Sequence, residues 1–128
     1  MKDVAERPLV LTGAVMGFTA VALGAFAAHV LEPRLSPAAV DWWQTAVKYH
    51  LTHSAATVAM GALAARSFPG ARSAGWLFAL GVLLFSGSLY VMALTGMRWL
   101  GMVTPAGGVL LLAGWVALGW GAVAGGRR

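Results

Sequence analysis

The chain has 128 residues, 59% of them hydrophobic and 10% charged, with a net charge of +5 and no cysteine. Soluble domains carry about 25% charged residues, so this composition points to a membrane protein with room for one small bundle and no second domain. The lack of cysteine excludes disulfides, iron–sulfur clusters and thiolate zinc sites, and positive charge gathered at segment ends reads as a topology signal, not a nucleic-acid surface.

Residues 1–8 form a short polar tail with Lys2, Asp3, Glu6 and Arg7. A first apolar span is expected over about 9–31. It holds Gly13 and Gly17 at GxxxG spacing, then Ala20, Gly24 and Ala28 on a second four-residue row. Such rows let helices approach closely. Ala25-Phe26-Ala27 has the look of a signal-peptidase site, but the apolar run is long for a signal peptide, so an uncleaved span is expected.

Pro33 and Pro37 mark a break over 32–36. Ser36 followed by Pro37 reads as an N-cap and first helical residue, and Asp41 suits the positive end of the helix dipole. A helix over 37–66 is ~45 Å long, more than the ~30 Å hydrocarbon core. Its start, about 37–45, is therefore expected at the interface and the second span over about 46–65. Trp42, Trp43 and Tyr49 fit an aromatic belt, and Lys48 can snorkel.

A short basic turn over 67–73 leads to a third span, about 75–95. At its centre stands Phe85-Ser86-Gly87-Ser88-Leu89-Tyr90. Lipid offers hydroxyls no partner, so these groups must turn towards protein. At ~100° per residue, Ser86 and Ser88 point in nearly opposite directions. Ser86 shares a face with Tyr90; Ser88 shares the other with Gly81 and Thr95. A helix with small or polar groups on both faces suits the centre of a bundle. After a connection over 96–103, Thr104-Pro105 reads as the cap of a fourth span, about 105–124, with a small row of Ala113, Ala117, Gly121 and Gly125. Helix packing is expected at Gly13, Gly17, Gly24, Gly81, Gly87, Gly107, Gly108 and Gly121, with one row available to a second copy or partner subunit. Trp115, mid-span, is expected to pack on another helix.

Lys and Arg divide unevenly between the two sides. Lys2, Arg7, Arg66, Arg72, Arg127 and Arg128 fall on one; Arg34, Lys48 and Arg98 fall on the other. The positive-inside rule then places both termini in the cytoplasm.

On that topology His29, His50, His53, Tyr90 and Thr104 all fall in the outer leaflet, near Ser86 and Ser88. Intramembrane ionisable groups usually face protein or a water pocket. One reading has neutral imidazoles hydrogen-bonded to hydroxyls and carbonyls, fixing helix register. The other is a ligand site, with His29 and His53 as candidates for metal or haem iron, or a proton relay. No Asp or Glu lies in an apolar span, which disfavours hard divalent cations. Met92, Met97 and Met102 leave a soft copper site conceivable. No carboxylate orients a histidine towards a serine, which disfavours a triad hydrolase. Gly107-Gly108 lacks the lysine of a phosphate loop.

Gly24-Ala25-Phe26-Ala27-Ala28-His29, Tyr49-His50-Leu51-Thr52-His53, Phe85-Ser86-Gly87-Ser88-Leu89-Tyr90, Thr104-Pro105-Ala106-Gly107-Gly108 and Ala113-Gly114-Trp115 occur in this order. Together they resemble the YgdD-like family of small inner-membrane proteins, also called domain of unknown function 423 and related to eukaryotic transmembrane protein 256. The resemblance covers nearly the whole chain. The family pattern has glycine where Ala27 stands, and His50 is less typical of it than His53. The resemblance implies a four-span protein of the cytoplasmic membrane and no established activity.

The expectation is one all-α domain over 1–128, a four-helix transmembrane bundle with both termini cytoplasmic. It is expected to be a multi-pass inner-membrane protein, and a structural or accessory component rather than an enzyme. Its expected partners are the lipid bilayer and a homo-oligomer or larger membrane complex, with no nucleic acid. The alternative is binding or transport of a small ligand, metal or haem in an outer-leaflet pocket of His29, His53, Ser86, Tyr90 and Thr104. The sequence leaves the cofactor undecided.

Overall fold

The computed structural model describes residues 2–126, with all side chains among them except those of residues 2–5 and Ala28. Arg127 and Arg128 lie outside the described residues. The chain folds into four helices: α1 (Lys2–Phe26), α2 (Pro37–Ala65), α3 (Ala71–Thr95) and α4 (Thr104–Gly125). A π-helical turn, Ala27–Leu31, and a 3-10 turn, Glu32–Arg34, follow α1; another 3-10 turn, Arg98–Met102, precedes α4. There is no strand among the described residues. Three stretches are long and apolar enough to cross a membrane: Glu6–Arg34, Ala71–Thr95 and Arg98–Gly125.

Helix α2 is not among those three, although its 29 residues would reach ~43 Å. The reason is its polar content. His50, His53, Ser54 and Thr57 all lie on α2, and all are buried. This helix packs between its neighbours, α1 on one flank and α3 on the other, and α4 packs on the far flank of α3. The helix with the most polar side chains is thus one of the two most enclosed. The outer helices turn apolar side chains outward: Leu11, Val15, Phe18 and Val21 on α1, and Leu112, Val116 and Trp120 on α4.

Local signals set the helix ends. Ser36 accepts the backbone N–H of Ala39 at 3.2 Å, the N-cap expected ahead of Pro37. Gly96 ends α3 with φ 74° and returns its N–H to the Met92 carbonyl at 2.8 Å, a left-handed stop that glycine adopts without strain. Two expectations need correction here. The polar tail is helical from Lys2, and Pro8 lies inside the helix at the cost of one backbone bond. Thr104 does not cap α4; it is the first residue of that helix, and its hydroxyl bonds elsewhere.

The glycines show how closely the helices approach. A Cβ on Gly13 would stand 2.8 Å from the backbone nitrogen of Val58, and one on Gly61 would stand 3.2 Å from that of Val10. These two positions let α1 and α2 meet backbone to backbone. Gly107 sits directly on the backbone of Phe85, and Gly121 on the carbonyl of Pro69. Gly81 meets Leu111, Gly24 meets Val47, and Gly17 and Gly108 make ordinary van der Waals contacts with Ser54 and Phe85. Gly87 differs: a Cβ there would meet nothing within 4 Å, so no other helix of this chain packs on it.

One end of the molecule is tied by charge and by the α2–α3 turn. Glu6, only 5% exposed, pairs with Arg72 at the start of α3, and Gly121 near the end of α4 packs on Pro69 in the turn. Leu9, Met60, Ala74, Phe78, Val82 and Leu111 form the core beside it. The start of α1 and the end of α4 therefore lie at the end that holds Arg66 and Arg72. The 3-10 turns lie at the opposite end, where the Arg98 guanidinium stands 6.0 Å from the Trp42 ring centroid.

Candidate functional site

The polar side chains of α2, α3 and α4 meet as three separate pairs. His50 Nδ1 lies 2.9 Å from Tyr90 Oη, joining α2 to α3. Either atom can donate, according to the tautomer of the ring. Met16 of α1 lines the same groove as His50 and Tyr90.

His53 is held differently. Its Nδ1 donates to the Tyr49 carbonyl at 2.8 Å, since a carbonyl only accepts. Its Nε2 accepts the indole N–H of Trp115 on α4 at 3.0 Å. Those two partners fix a neutral imidazole with both nitrogens engaged. Around it stand the Tyr49 ring, stacked at 6.2 Å, and Phe78 and Trp115 edge-on at 5.3 and 5.8 Å. A metal could take Nε2 only by displacing the Trp115 bond.

Ser88 and Thr104 make the third pair, their hydroxyls 2.6 Å apart across α3 and α4. Ser86, on the opposite face of α3, donates to the Ala46 carbonyl at 2.8 Å. The two serines point opposite ways, as their spacing requires. Among the described residues, no buried side-chain nitrogen or oxygen lacks a partner.

The single shared pocket expected from the sequence is therefore divided. Residues three apart on a helix are ~60° apart around it, and that angle sends His50 towards α1 and α3 while His53 turns towards Phe78 and α4. His29 joins neither. It lies exposed in the π-helical turn, apart from the bonds that hold the other two histidines. Among the described residues there is no group of three or more His, Cys, Asp or Glu placed to hold a metal.

Two tryptophans complete the arrangement. Trp115, expected to pack on another helix, is the hydrogen-bond partner of His53 and packs on Phe78 at 4.8 Å. Trp43 was expected in the interfacial belt. It is instead 3% exposed, donates to the Leu23 carbonyl at 3.1 Å and meets the Tyr90 ring edge-on at 4.7 Å. Leu23 lies one turn before the π-helical turn. A backbone acceptor such as Leu23 leaves no mark in a side-chain pattern.

A groove of about 570 Å3 opens between α1 and α3, with His50, Ser86 and Tyr90 along one part of its wall. On the other side, a smaller hollow of about 380 Å3 lies beside Tyr49, His53 and Trp115.

A family model described as "Protein of unknown function (DUF423)" matches residues 23–108. The chain belongs to this family. The DUF423 match takes in α2, α3 and the start of α4, and with them both buried histidines, Tyr90 and the Ser88–Thr104 pair. Similar curated proteins span the same length. A UPF0382 membrane protein of Staphylococcus haemolyticus is 42% identical over 85% of this chain and 89% of its own. One from Haemophilus influenzae is 43% identical over 84% and 87%. The inner membrane protein YgdD of Escherichia coli is 39% identical over 92% and 91%. No solved structure matches the chain. Composition, helices and relatives agree on an all-helical membrane protein.

Proposed function

We propose that this DUF423 protein is a non-catalytic, multi-pass component of the cytoplasmic membrane, with four spans and both termini on the cytoplasmic side. It acts as an accessory part of a homo-oligomer or larger membrane complex. The observation that carries this is the closed bonding of the polar core. His53 uses both ring nitrogens within the protein, His50 is paired with Tyr90, and each buried serine hydroxyl is bonded. No free base stands beside a nucleophile, which is the arrangement covalent catalysis needs. The fourth span is α2, whose reduced hydropathy follows from the inward polar groups rather than from an exposed position. The surplus of Lys and Arg on the side of Arg66 and Arg72 supports the orientation.

Native mass spectrometry of protein released in mild detergent tests the accessory role. Defined oligomers or stoichiometric partners are expected; a strict monomer with nothing co-purifying would overturn it. The orientation is tested with single cysteines, which the cysteine-free chain makes simple. An impermeant thiol reagent added outside cells should label Met97→Cys and leave Ser73→Cys unlabelled.

A second reading, binding of a small apolar ligand within the bilayer, is favoured by the groove beside His50 and Tyr90. Metal and haem versions are disfavoured by the engaged nitrogens of His53, and elemental analysis with a visible spectrum should show neither at stoichiometric level.

A further inference from the structure

Two opposite charges share one pocket at the end of the α1–α2 seam that carries the 3-10 turns, and they do not meet. The pocket, about 210 Å3, lies between the turn after α1 and the first half of α2, with Glu32, Gln44 and Lys48 on its wall. No other charged side chain lines it. Glu32 and Lys48 form no ion pair; among the described residues that bond is made by Glu6 and Arg72, at the opposite end of the molecule. Glu32 is held instead by Gln44, whose amide nitrogen donates to Oε1 at 2.9 Å, since a carboxylate only accepts. Left without a partner among the described residues are the second carboxylate oxygen, the Gln44 amide oxygen and the Lys48 ammonium.

These groups stand where a bilayer has its headgroups. Lys48 follows Gln44 by four residues, so the two share a face of α2, one turn or ~6 Å apart along the axis. Both are exposed, and Leu51, the next residue of that face, is 46% exposed, so the face turns towards lipid. A lysine on such a face lifts its ammonium along its stem towards the interface, here towards Glu32. The remaining lining is apolar: Gly24, Ala27, Val47 and the ring of Trp43, whose indole N–H is taken by the Leu23 carbonyl. The pocket thus joins a cation and two acceptors to a surface suited to methylenes.

We infer that this pocket binds the headgroup of a zwitterionic phospholipid with a primary ammonium, a phosphatidylethanolamine. Its phosphate lies on Lys48 Nζ, and its ammonium on the open oxygens of Glu32 and Gln44. The donor count decides among headgroups. A primary ammonium brings three N–H groups to two waiting acceptors, in charge-assisted bonds. The quaternary nitrogen of choline brings none. A phosphatidylglycerol headgroup matches Lys48 but leaves the Glu32 carboxylate without a cation and close to a second negative charge.

This inference goes beyond the accessory role and takes α2 as a span; co-purifying protein tests that role, bound lipid tests this site, and the two fail separately. Full-length protein in mild detergent is titrated with phosphatidylethanolamine, phosphatidylcholine and phosphatidylglycerol of identical acyl chains, and native mass spectrometry counts bound lipids. Phosphatidylethanolamine should saturate one Lys48-dependent site per chain, and phosphatidylcholine should bind there at least fivefold more weakly. Lys48→Gln should weaken phosphatidylethanolamine at least fivefold, and Glu32→Gln should abolish its preference over phosphatidylcholine. Both variants should keep the parent's melting temperature; the comparison of lipids on the parent stands without them. Equal affinity of the parent for phosphatidylcholine would overturn the ammonium assignment. Stronger Lys48-dependent binding of phosphatidylglycerol would make the pocket an anionic-lipid anchor and overturn the zwitterion. Uptake without saturation, or uptake that Lys48→Gln leaves intact, would mean annular lipid only and overturn the site.

Discussion

Two histidines three residues apart on one helix have opposite surroundings. His53 is held among Tyr49, Phe78 and Trp115, with a bond on each nitrogen, and borders only the smaller hollow of about 380 Å3. His50 is bonded to Tyr90, and both border a groove that no helix of this chain fills. The α3–α4 face is packed backbone to backbone; the α1–α3 face is parted. The contrast teaches that in an apolar solvent the same side chain can serve as a fixed strut or as the back wall of a site. What decides is whether a neighbouring helix comes close enough to exclude a ligand. Glycine position controls that distance.

The sharpest way to break the contrast uses one glycine from each face. Gly107 lies on the backbone of Phe85, where no relaxation of a side chain can admit a Cβ. Gly107→Leu should separate α3 from α4 and leave little folded protein, read as loss of a monodisperse peak on size exclusion in mild detergent. Gly87→Leu should fold as well as the parent, since it meets open space and removes a helix glycine that costs ~1 kcal/mol relative to better formers. If both substitutions are tolerated, the two faces are not packed differently.

The histidines give the next largest effect. His53→Ala removes an enclosed ring and leaves the Trp115 N–H without an acceptor. A loss of about 2–4 kcal/mol is expected from the cavity and the orphaned donor together. His50→Ala should cost less, about 1–2 kcal/mol, because the Tyr90 hydroxyl borders the groove and can turn to another partner. Equilibrium unfolding in mixed micelles measures both. An equal loss would mean that the groove gives Tyr90 no freedom. Trp43→Phe tests the tie near the π-helical turn. It keeps the aromatic contact with Tyr90 and removes only the bond to the Leu23 carbonyl, for about 1 kcal/mol.

Much of this was legible in the residues. The Ser36 cap, the extent of α2 and the opposed faces of Ser86 and Ser88 follow from periodicity and turn chemistry. The inward turn of the buried histidines follows from the solvation of imidazole in oil. The pairing did not follow. Spacing put His50 and His53 ~60° apart, but only tertiary packing decides which neighbour fills each sector. Trp43 was read as an interface anchor because tryptophan near a helix start usually is one. Its true partner is a backbone carbonyl beside a change of helical step, which sequence does not mark. Gly87 was read as a packing residue from its type; whether a glycine lies against a helix or a gap depends on distances no pattern encodes.

The smallest expected effect concerns Ser88 and Thr104. Their hydroxyls lie 2.6 Å apart, and both are also near carbonyls of their own chain, Ser88 at 2.9 Å from Phe85 and Thr104 at 3.4 Å from Leu100. Ser88→Ala therefore removes one bond between α3 and α4 but leaves Thr104 an acceptor on its own segment. Hydrogen bonds between membrane helices average ~0.6 kcal/mol, because the alternatives are rarely bare. The loss should sit near that value, and Thr104→Val, which keeps the shape, should match it. In the double variant the two losses should not add, since both delete the same bond. Additive losses would show that each hydroxyl is held mainly by its own carbonyl, and that the α3–α4 face is closed by glycine packing alone.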